Sequence, residues 1–262
     1  MNILDNIVAK KKIEVAKRKQ NISIQELEKQ KFFTHKTVSL KEFLLDKNRT
    51  GIIAEYKRKS PSKGIINNHS TVEEVTTVYA KYASGISVLT DEEFFGGNMQ
   101  DLINARINAV PLLRKDFMID EYQIIEAKAN GADVILLIAA CLSKAQTKNF
   151  SALAKNIGLE VLLEIHNEEE LNYIDCNVDL VGVNNRNLKT FEVNIQTSLQ
   201  LIHQIPANKL AIAESGINNV DTIVTLRNAG FKGFLIGENF MKENNPPTAF
   251  INFVQQLKTK LV

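Results

Sequence analysis

Short apolar runs alternate with longer amphipathic segments from about residue 50 to the end of the chain. Eight of the runs are rich in Val, Ile and Leu and have the length of buried strands, whereas the segments between them have helical periodicity. The runs are residues 52–57, 86–90, 111–115, 134–139, 160–165, 180–184, 210–215 and 233–237. Eight strands that alternate with helices predict an α/β protein whose parallel strands close into one (β/α)8, or TIM, barrel.

Helix start and stop signals support this alternation. Long helices are predicted at residues 71–83, 120–130, 143–156, 219–228 and 247–261. Asp120 and Ser143 stand at the N-cap positions of two of them. Glycine follows four of the helical segments where a left-handed residue commonly ends a helix, at Gly85, Gly131, Gly158 and Gly230.

Residues 1–48 precede the first strand and are predicted to form two helices, one over the first twenty residues and one around residues 40–46. We therefore predict a single domain over residues 1–262, with an N-terminal helical extension (1–48) and a barrel (49–262). The competing architecture, a doubly wound open sheet, needs a glycine-rich fingerprint after the first strand. Residues 55–64 instead have the sequence Glu-Tyr-Lys-Arg-Lys-Ser-Pro-Ser-Lys-Gly.

Composition restricts the class of protein and its partners. Hydrophobic residues make up 44% of the 262 residues and charged residues 24%, so a large core can form without disulfides or metals. The net charge of +2 is too small to predict a nucleic-acid partner. There is no apolar signal segment, and the longest apolar run, residues 134–142, is half of the about 18 residues that a membrane span needs. We expect a soluble, cytoplasmic, monomeric protein without a membrane partner.

Several chemically versatile residues carry no recognisable motif. A basic run with Lys10, Lys11 and Lys12 favours the solvated face of an amphipathic helix over a membrane or RNA contact. Cys141 and Cys176 match no metal or redox spacing and are expected to be reduced thiols. The histidines are scattered without ligand spacing and are expected to be structural or exposed: His35, His69, His166 and His203. No metal is predicted.

Polar and charged residues stand at the ends of five predicted strands, where (β/α)8 barrels carry their chemistry. They are Glu55 and Lys57 on strand one, Lys115 on strand three, Glu164 on strand five, Asn184, Asn185 and Arg186 on strand six, and Glu214, Ser215 and Gly216 on strand seven. Glu55 and Lys57 share one side of a strand, where they would form either a structural ion pair or part of a site. Each residue alone would suit a solvated rim, but the number of strands involved favours a site.

Strands seven and eight are followed by Gly216 and Gly237, at loops that commonly bind phosphate in this fold. Glycine lets backbone N–H groups approach phosphate oxygens, a short helix at residues 238–241 would point its positive end at the anion, and Ser60 would add a hydroxyl. Three phenylalanines follow strands two and three: Phe94, Phe95 and Phe117. They suit either the core or an apolar wall, so the residues predict a phosphate-bearing, partly aromatic ligand.

Six segments together carry a resemblance to a known family. They are Ile-Ile-Ala-Glu-Tyr-Lys-Arg-Lys-Ser-Pro-Ser-Lys-Gly at 52–64, Leu-Leu-Arg-Lys-Asp-Phe at 112–117, Leu-Leu-Glu-Ile-His at 162–166, Val-Asn-Asn-Arg at 183–186, Ala-Glu-Ser-Gly-Ile at 213–217 and Leu-Ile-Gly at 235–237. With them the chain resembles indole-3-glycerol phosphate synthases over essentially its whole length. The sequence departs from the family's pattern at Asn187, where aspartate is frequent, and at Glu238, where a small residue is common.

The resemblance implies conversion of 1-(2-carboxyphenylamino)-1-deoxyribulose 5-phosphate to indole-3-glycerol phosphate, with loss of carbon dioxide and water and without a cofactor. It implies Lys115 as the general acid of ring closure and Glu164 as an acid or base in dehydration. It places catalytic roles on Glu55, Lys57, Lys115, Glu164, Asn184 and Ser215. It places substrate binding on Ser60, Gly216 and Gly237 for the phosphate, on Arg186 for the carboxylate, on Phe95, Phe117 and Leu188 for the ring, and on Glu214 as support for Ser215.

Two other functions fit parts of the pattern. Lys57 or Lys115 could form a Schiff base with a sugar phosphate in a lyase or isomerase, which borohydride trapping would detect. A non-catalytic module that binds a phosphorylated ligand would not need two acids and two ammonium groups in this arrangement. Whatever the function, residues 62–68 are predicted to form a lid, and the N-terminal helix is expected to cover part of the barrel mouth.

Overall fold

Eight parallel strands close into a barrel in the computed structural model, which describes residues 3–261 of the chain. The strands are β1 (Ile52–Tyr56), β2 (Gly85–Leu89), β3 (Leu112–Lys115), β4 (Val134–Ile138), β5 (Glu160–Ile165), β6 (Leu180–Asn184), β7 (Leu210–Glu214) and β8 (Gly233–Ile236). Each pairs with the next, and β8 pairs with β1. The predicted (β/α)8 barrel is confirmed, and the strand ends agree to within one residue. Residues 1, 2 and 262 of the predicted domain lie outside the described residues.

Among the described residues, three helices precede the first strand, and the others follow the strands and surround the barrel. Those described are α1 (Ile3–Asn21), α2 (Ile24–Leu27), α3 (Leu40–Leu45), α4 (Val72–Tyr82), α5 (Glu92–Phe95), α6 (Met99–Ala105), α7 (Glu121–Ala129), α8 (Lys144–Asn156), α9 (Gln196–Leu201), α10 (Val220–Ala229), α11 (Glu238–Met241) and α12 (Pro246–Leu261). Asp120 and Ser143 cap α7 and α8 as predicted, because their side chains accept hydrogen bonds from backbone amides of the first turn. In the part of the chain that the structure describes, no helix has the length and apolar character needed to cross a membrane.

The glycines predicted to end helices divide into two groups. Gly131, Gly158 and Gly230 have φ angles of 89°, 82° and 121°, so their left-handed conformations are confirmed. The prediction is wrong for Gly85, which is the first residue of β2 and has no positive φ. A Cβ there would lie 2.7 Å from Cδ1 of Leu40, so this glycine makes room for α3 under the barrel.

The barrel interior is apolar at its N-terminal end and charged at its C-terminal end. Inward-facing apolar side chains come from several strands, among them Ile53, Leu113, Val134, Leu136, Leu162, Leu180, Ile212 and Leu235. Nearer the C-terminal end of the barrel, glycines face large charged side chains of neighbouring strands. A Cβ at Gly182 would overlap the Glu214 carboxylate, and one at Gly237 would lie 2.9 Å from Cβ of Glu55. Small residues on one strand therefore let carboxylates of neighbouring strands enter the barrel.

The N-terminal helix α1 packs against the barrel through a stripe of residues four positions apart, Ile7, Lys11 and Val15. The prediction of a solvated basic face is confirmed for Lys10 and Lys12, which are exposed, and is wrong for Lys11. Lys11 is only 1% exposed, and its Nζ lies 2.8 Å from Asp91 and 2.9 Å from Asp116, just beyond β2 and β3. The helix is therefore held to the C-terminal end of the barrel by buried charge.

Candidate active site

The C-terminal ends of the strands surround a cavity of about 760 Å³. All the site residues predicted from the sequence line it: Glu55, Lys57, Ser60, Phe95, Phe117, Lys115, Glu164, Asn184, Arg186, Leu188, Glu214, Ser215, Gly216 and Gly237. Phe94, the third candidate for the apolar wall, is not among the lining residues. The fold thus brings together groups that are up to 182 positions apart (Gly237 − Glu55 = 182).

Five ionisable side chains form the floor of this cavity. The Nζ of Lys57 lies 2.8 Å from Oε1 of Glu55, as the two-residue period of β1 predicts. The Nζ of Lys115 lies 3.4 Å from Oε2 of Glu164 and 3.6 Å from Oε2 of Glu214. Lys115 therefore lies between two carboxyl groups, one on β5 and one on β7, and each of the five side chains is less than one-sixth exposed.

Mutual charge determines the protonation states of this floor. Burial alone would lower the pKa of Lys115, but the surrounding carboxylates raise it above its ordinary value. Burial alone would raise the pKa of Glu164, but Lys115 and His166 hold it well below its usual range. Burial and the charge of Glu164 raise the pKa of Glu214 to about 8. At neutral pH the floor thus contains an ammonium group, an ionised Glu164 and a protonated Glu214.

Asn184 orients this charge cluster from β6. Its Nδ2 donates a hydrogen bond of 3.0 Å to Oε1 of Glu164, and its Oδ1 accepts one of 3.0 Å from the backbone N–H of Arg186. The adjacent Asn185 points out of the cavity, because its Oδ1 accepts hydrogen bonds from the amide and hydroxyl of Ser198. The alternation along β6 therefore assigns one asparagine to the site and the other to the surrounding structure.

One end of the cavity is suited to an anion. The hydroxyl Oγ of Ser60 is buried there without a hydrogen-bond partner among the described residues. Ser215 and Gly216 have φ angles of 65° and 75°, a left-handed turn that is costly for a serine. Such outliers concentrate at functional sites, so the turn after β7 is a candidate for binding a ligand at this end.

The other end is apolar. The rings of Phe95 and Phe117 have centroids 6.1 Å apart, and Leu188 and Phe191 also line the cavity. Residues from the start of α1 contribute as well, among them Ile7, so the N-terminal helix does cover part of the mouth. The cavity thus offers an aromatic-lined end, an anion-binding end and an acid–base floor between them.

Comparison with known proteins identifies the family. The family model described as indole-3-glycerol phosphate synthase matches residues 4–253. The chain belongs to the indole-3-glycerol phosphate synthase family. A protein of that name from Bacteroides thetaiotaomicron is 46% identical over 98% of this chain and 99% of its own length, and one from a Polaromonas species is 42% identical over 95% and 96%.

A solved structure of a mutant tryptophan synthase α-subunit from Pyrococcus furiosus has the same fold. It matches with a TM-score of 0.63 over 80% of this chain and 99% of its own, at 17% sequence identity. At that identity the likeness supports the barrel architecture alone.

The structure explains one of the two departures from the family's pattern. Oδ1 of Asn187 accepts hydrogen bonds of 2.8 and 3.1 Å from the amides of Lys189 and Thr190. An aspartate Oδ1 can accept the same bonds, so asparagine preserves the turn while removing one negative charge. The other departure, Glu238, lies at the anion-binding end, and its Oε2 is 3.6 Å from the Arg186 guanidinium.

Sequence reasoning missed two residues in or beside this cavity, Phe191 and His166. Phe191 lines the cavity in a left-handed conformation, with φ of 61°, and its only sequence signal was its position in the loop after β6. His166, like the other histidines, is expected from the sequence to be structural or exposed, yet its Nε2 lies 3.2 Å from Oε1 of Glu164. Its signal was its place two residues after Glu164, on the same side of the chain.

Proposed function

We propose that this chain catalyses the indole-3-glycerol phosphate synthase reaction. The substrate is 1-(2-carboxyphenylamino)-1-deoxyribulose 5-phosphate, and the products are indole-3-glycerol phosphate, carbon dioxide and water. The observation that carries the proposal is Lys115 between Glu164 and Glu214 on the floor of a cavity with one apolar and one anion-binding end. We further propose that it acts in tryptophan biosynthesis, as a cytoplasmic monomer, without a cofactor or a nucleic-acid or membrane partner.

The two ends of the cavity define how the substrate lies. Its phosphate is bound by the Ser60 hydroxyl and the backbone of Ser215, Gly216 and Gly237, where an unpartnered donor supports anion binding. Its aromatic ring lies against Phe95, Phe117 and Leu188. Its carboxylate faces the cations Lys57 and Arg186.

Ring closure joins the carboxylate-bearing ring carbon to the C2 ketone. The ammonium of Lys115 donates a proton to the ketone oxygen as the carbon–carbon bond forms, so the oxygen becomes a hydroxyl group. Loss of carbon dioxide leaves its electron pair with the ring and restores aromaticity. The raised pKa of Lys115 keeps the proton in place until negative charge develops on the ketone oxygen.

Dehydration then removes the hydroxyl group and one proton as water and forms the C2–C3 double bond of the indole ring. Glu164 is ionised and suits the base that removes the proton, whereas Glu214 holds a proton near neutral pH and suits the acid. The ionised state of Lys115 also disfavours the Schiff-base alternative, because a nucleophilic lysine must be neutral.

The direct test is fluorescence-detected formation of indole-3-glycerol phosphate by the wild-type chain without added cofactor. We expect robust turnover, and we expect Glu164→Gln to lower kcat by about a hundredfold or more, since it removes the base. The variant should retain the wild-type melting temperature within a few degrees. A folded wild-type protein that makes no product would refute the proposal, and borohydride trapping would then test the lyase alternative.

Replacing Glu238 by glutamine should improve substrate binding. The carboxylate lies beside the proposed phosphate position and 3.6 Å from Arg186, so it repels the substrate and competes for the cation. We expect KM and the inhibition constant of inorganic phosphate to fall together by about threefold, with kcat little changed, an interaction of less than 1 kcal/mol as for other partly exposed pairs. Glu243→Gln, a half-exposed residue outside this cavity, is the matched control. An unchanged or higher KM would contradict the prediction.

A further inference from the structure

His166 and Glu170 form a pair next to Glu164 that the proposed reaction steps do not use. His166 follows β5 directly, and the two-residue period places its side chain above Glu164, towards the barrel mouth. Its Nε2 lies 3.2 Å from Oε1 of Glu164, and its Nδ1 lies 3.2 Å from Oε2 of Glu170. The imidazole therefore lies between two carboxylates, within ion-pair distance of both, and is only 13% exposed.

Glu170 is itself held from several directions. It lies in the 3-10 helix Glu168–Tyr173, whose N-cap is Asn167. Its Oε2 accepts a 2.7 Å hydrogen bond from the backbone N–H of His166, and its Oε1 accepts one of 3.1 Å from Nδ2 of Asn167. A carboxylate fixed in this way can hold the imidazole ring in one orientation, as the carboxylate partner of a functional histidine does elsewhere.

We propose that His166, held by Glu170, is a positioning residue that fixes the orientation and the charge of Glu164 for dehydration. The inference rests on the proposed function. His166 is not among the residues that line the cavity, so it acts through Glu164 and not on the substrate. Together with Asn184, whose Nδ2 reaches the same Oε1 atom, it leaves Oε2 of Glu164 facing Lys115.

Charge supports this arrangement. Burial alone would lower the pKa of His166, but Glu164 and Glu170 raise it to about 10, so the imidazole carries a positive charge at neutral pH. That charge helps to keep Glu164 ionised. The other titratable groups that face the cluster are Lys115, Glu214 and the Cys141 thiol, whose pKa is raised by burial and by the two carboxylates. Cys141 is therefore a neutral neighbour.

The test compares the kinetics of His166→Leu, His166→Gln, Glu170→Gln and the double variant His166→Leu/Glu170→Gln. The control is His203→Asn, at an exposed position on the 3-10 helix Ile202–Gln204. We expect His166→Leu to lower kcat by about tenfold with KM nearly unchanged, because Glu164 loses the group that orients it. His166→Gln should recover part of kcat, since its amide can reach Glu164. Glu170→Gln should have a smaller effect that disappears in the His166→Leu background.

Nuclear magnetic resonance titration of the His166 ring in the free enzyme needs no substrate and separates the two proposals. We expect titration near pH 10 in the wild type and at a lower pH in Glu170→Gln. An active wild type whose His166 titrates near 6.5, or a His166→Leu variant that raises KM instead of lowering kcat, would overturn the positioning role. Losses of kcat from His166→Leu and Glu170→Gln that add fully in the double variant would also overturn it. So would a folded His166→Gln variant whose kcat is no higher than that of His166→Leu. An inactive wild type with the expected titration would overturn the proposed function alone.

Discussion

Replacing Lys115 by methionine is expected to lower kcat by about two to four orders of magnitude, the range typical of removing a general acid. Methionine keeps most of the side-chain volume but removes the proton that ring closure needs. It also removes the cation between Glu164 and Glu214, so the pKa of Glu164 should rise and its function as a base should weaken. Both steps of the reaction are therefore affected by one substitution. Steady-state kinetics from pH 6 to 9 would measure the loss.

Two variants separate the causes of that loss. Lys115→Arg retains a positive charge but cannot release its proton, so it should keep the carboxylates ionised while remaining strongly impaired. Lys148→Met, on the exposed face of α8, controls for the loss of a lysine charge and should match the wild type. A Lys115→Met enzyme with a kcat within threefold of the wild type would show that this ammonium is not the acid.

The fold and most of the site could be predicted because both depend on short-range patterns. Eight apolar runs determine eight strands, and the C-terminal end of each parallel strand lies at the same end of the barrel. Glu55, Lys57 and Lys115 therefore had to meet once the strands were recognised. The alternation of side chains along a strand also explains why Glu55 and Lys57 form an ion pair.

The wrong or missing predictions concern residues whose partners are distant in sequence. Gly85 looked like a helix terminator, but the atom that requires a glycine there belongs to Leu40, on a helix before the barrel. Lys11 looked like part of a solvated run, although it occupies the buried stripe with Ile7 and Val15. Nothing local identifies Asp91 and Asp116 as its partners, since they lie 80 and 105 positions further on (91 − 11 = 80, 116 − 11 = 105).

Lys11 is also one member of a closed ring of ion pairs. The ring runs in order through Lys11, Glu14, Arg18, Glu126, Arg114 and Asp116 and back to Lys11, with Asp91 as a further partner of the lysine. It joins α1 to α7 and to the segment on both sides of Lys115, because Arg114 and Asp116 are the neighbours of that residue in sequence. The helix that covers the cavity and the backbone that carries the proposed acid are thus parts of one charge network.

Replacing Lys11 by methionine is accordingly expected to destabilise the folded protein by about 3 to 5 kcal/mol, the usual cost of leaving buried charges without their partner. At about 2 to 4 °C per kcal/mol, the melting temperature should fall by roughly 10 °C. Lys12→Met, at an exposed position one residue away, should change stability by less than about 0.5 kcal/mol.

The pH dependence of this stability difference gives a second criterion. Burial alone would raise the pKa of Asp116, but Lys11 and Arg114 hold it well below its ordinary value of 3.8, so its contribution to stability is full above pH 3.8 and is lost as the pH falls towards the depressed pKa. The pKa of Lys11 is raised above 10.5, because its carboxylate partners outweigh burial, so its contribution to stability is full below pH 10.5 and is lost as the pH rises through the raised pKa. The difference in unfolding free energy between wild type and Lys11→Met should therefore be full between about pH 4 and 10 and should shrink as the pH falls below 4.

Denaturant unfolding at pH 7 and at pH 3 measures this difference. A difference below about 1 kcal/mol at pH 7 would show that the ring of ion pairs does not hold the helix in place.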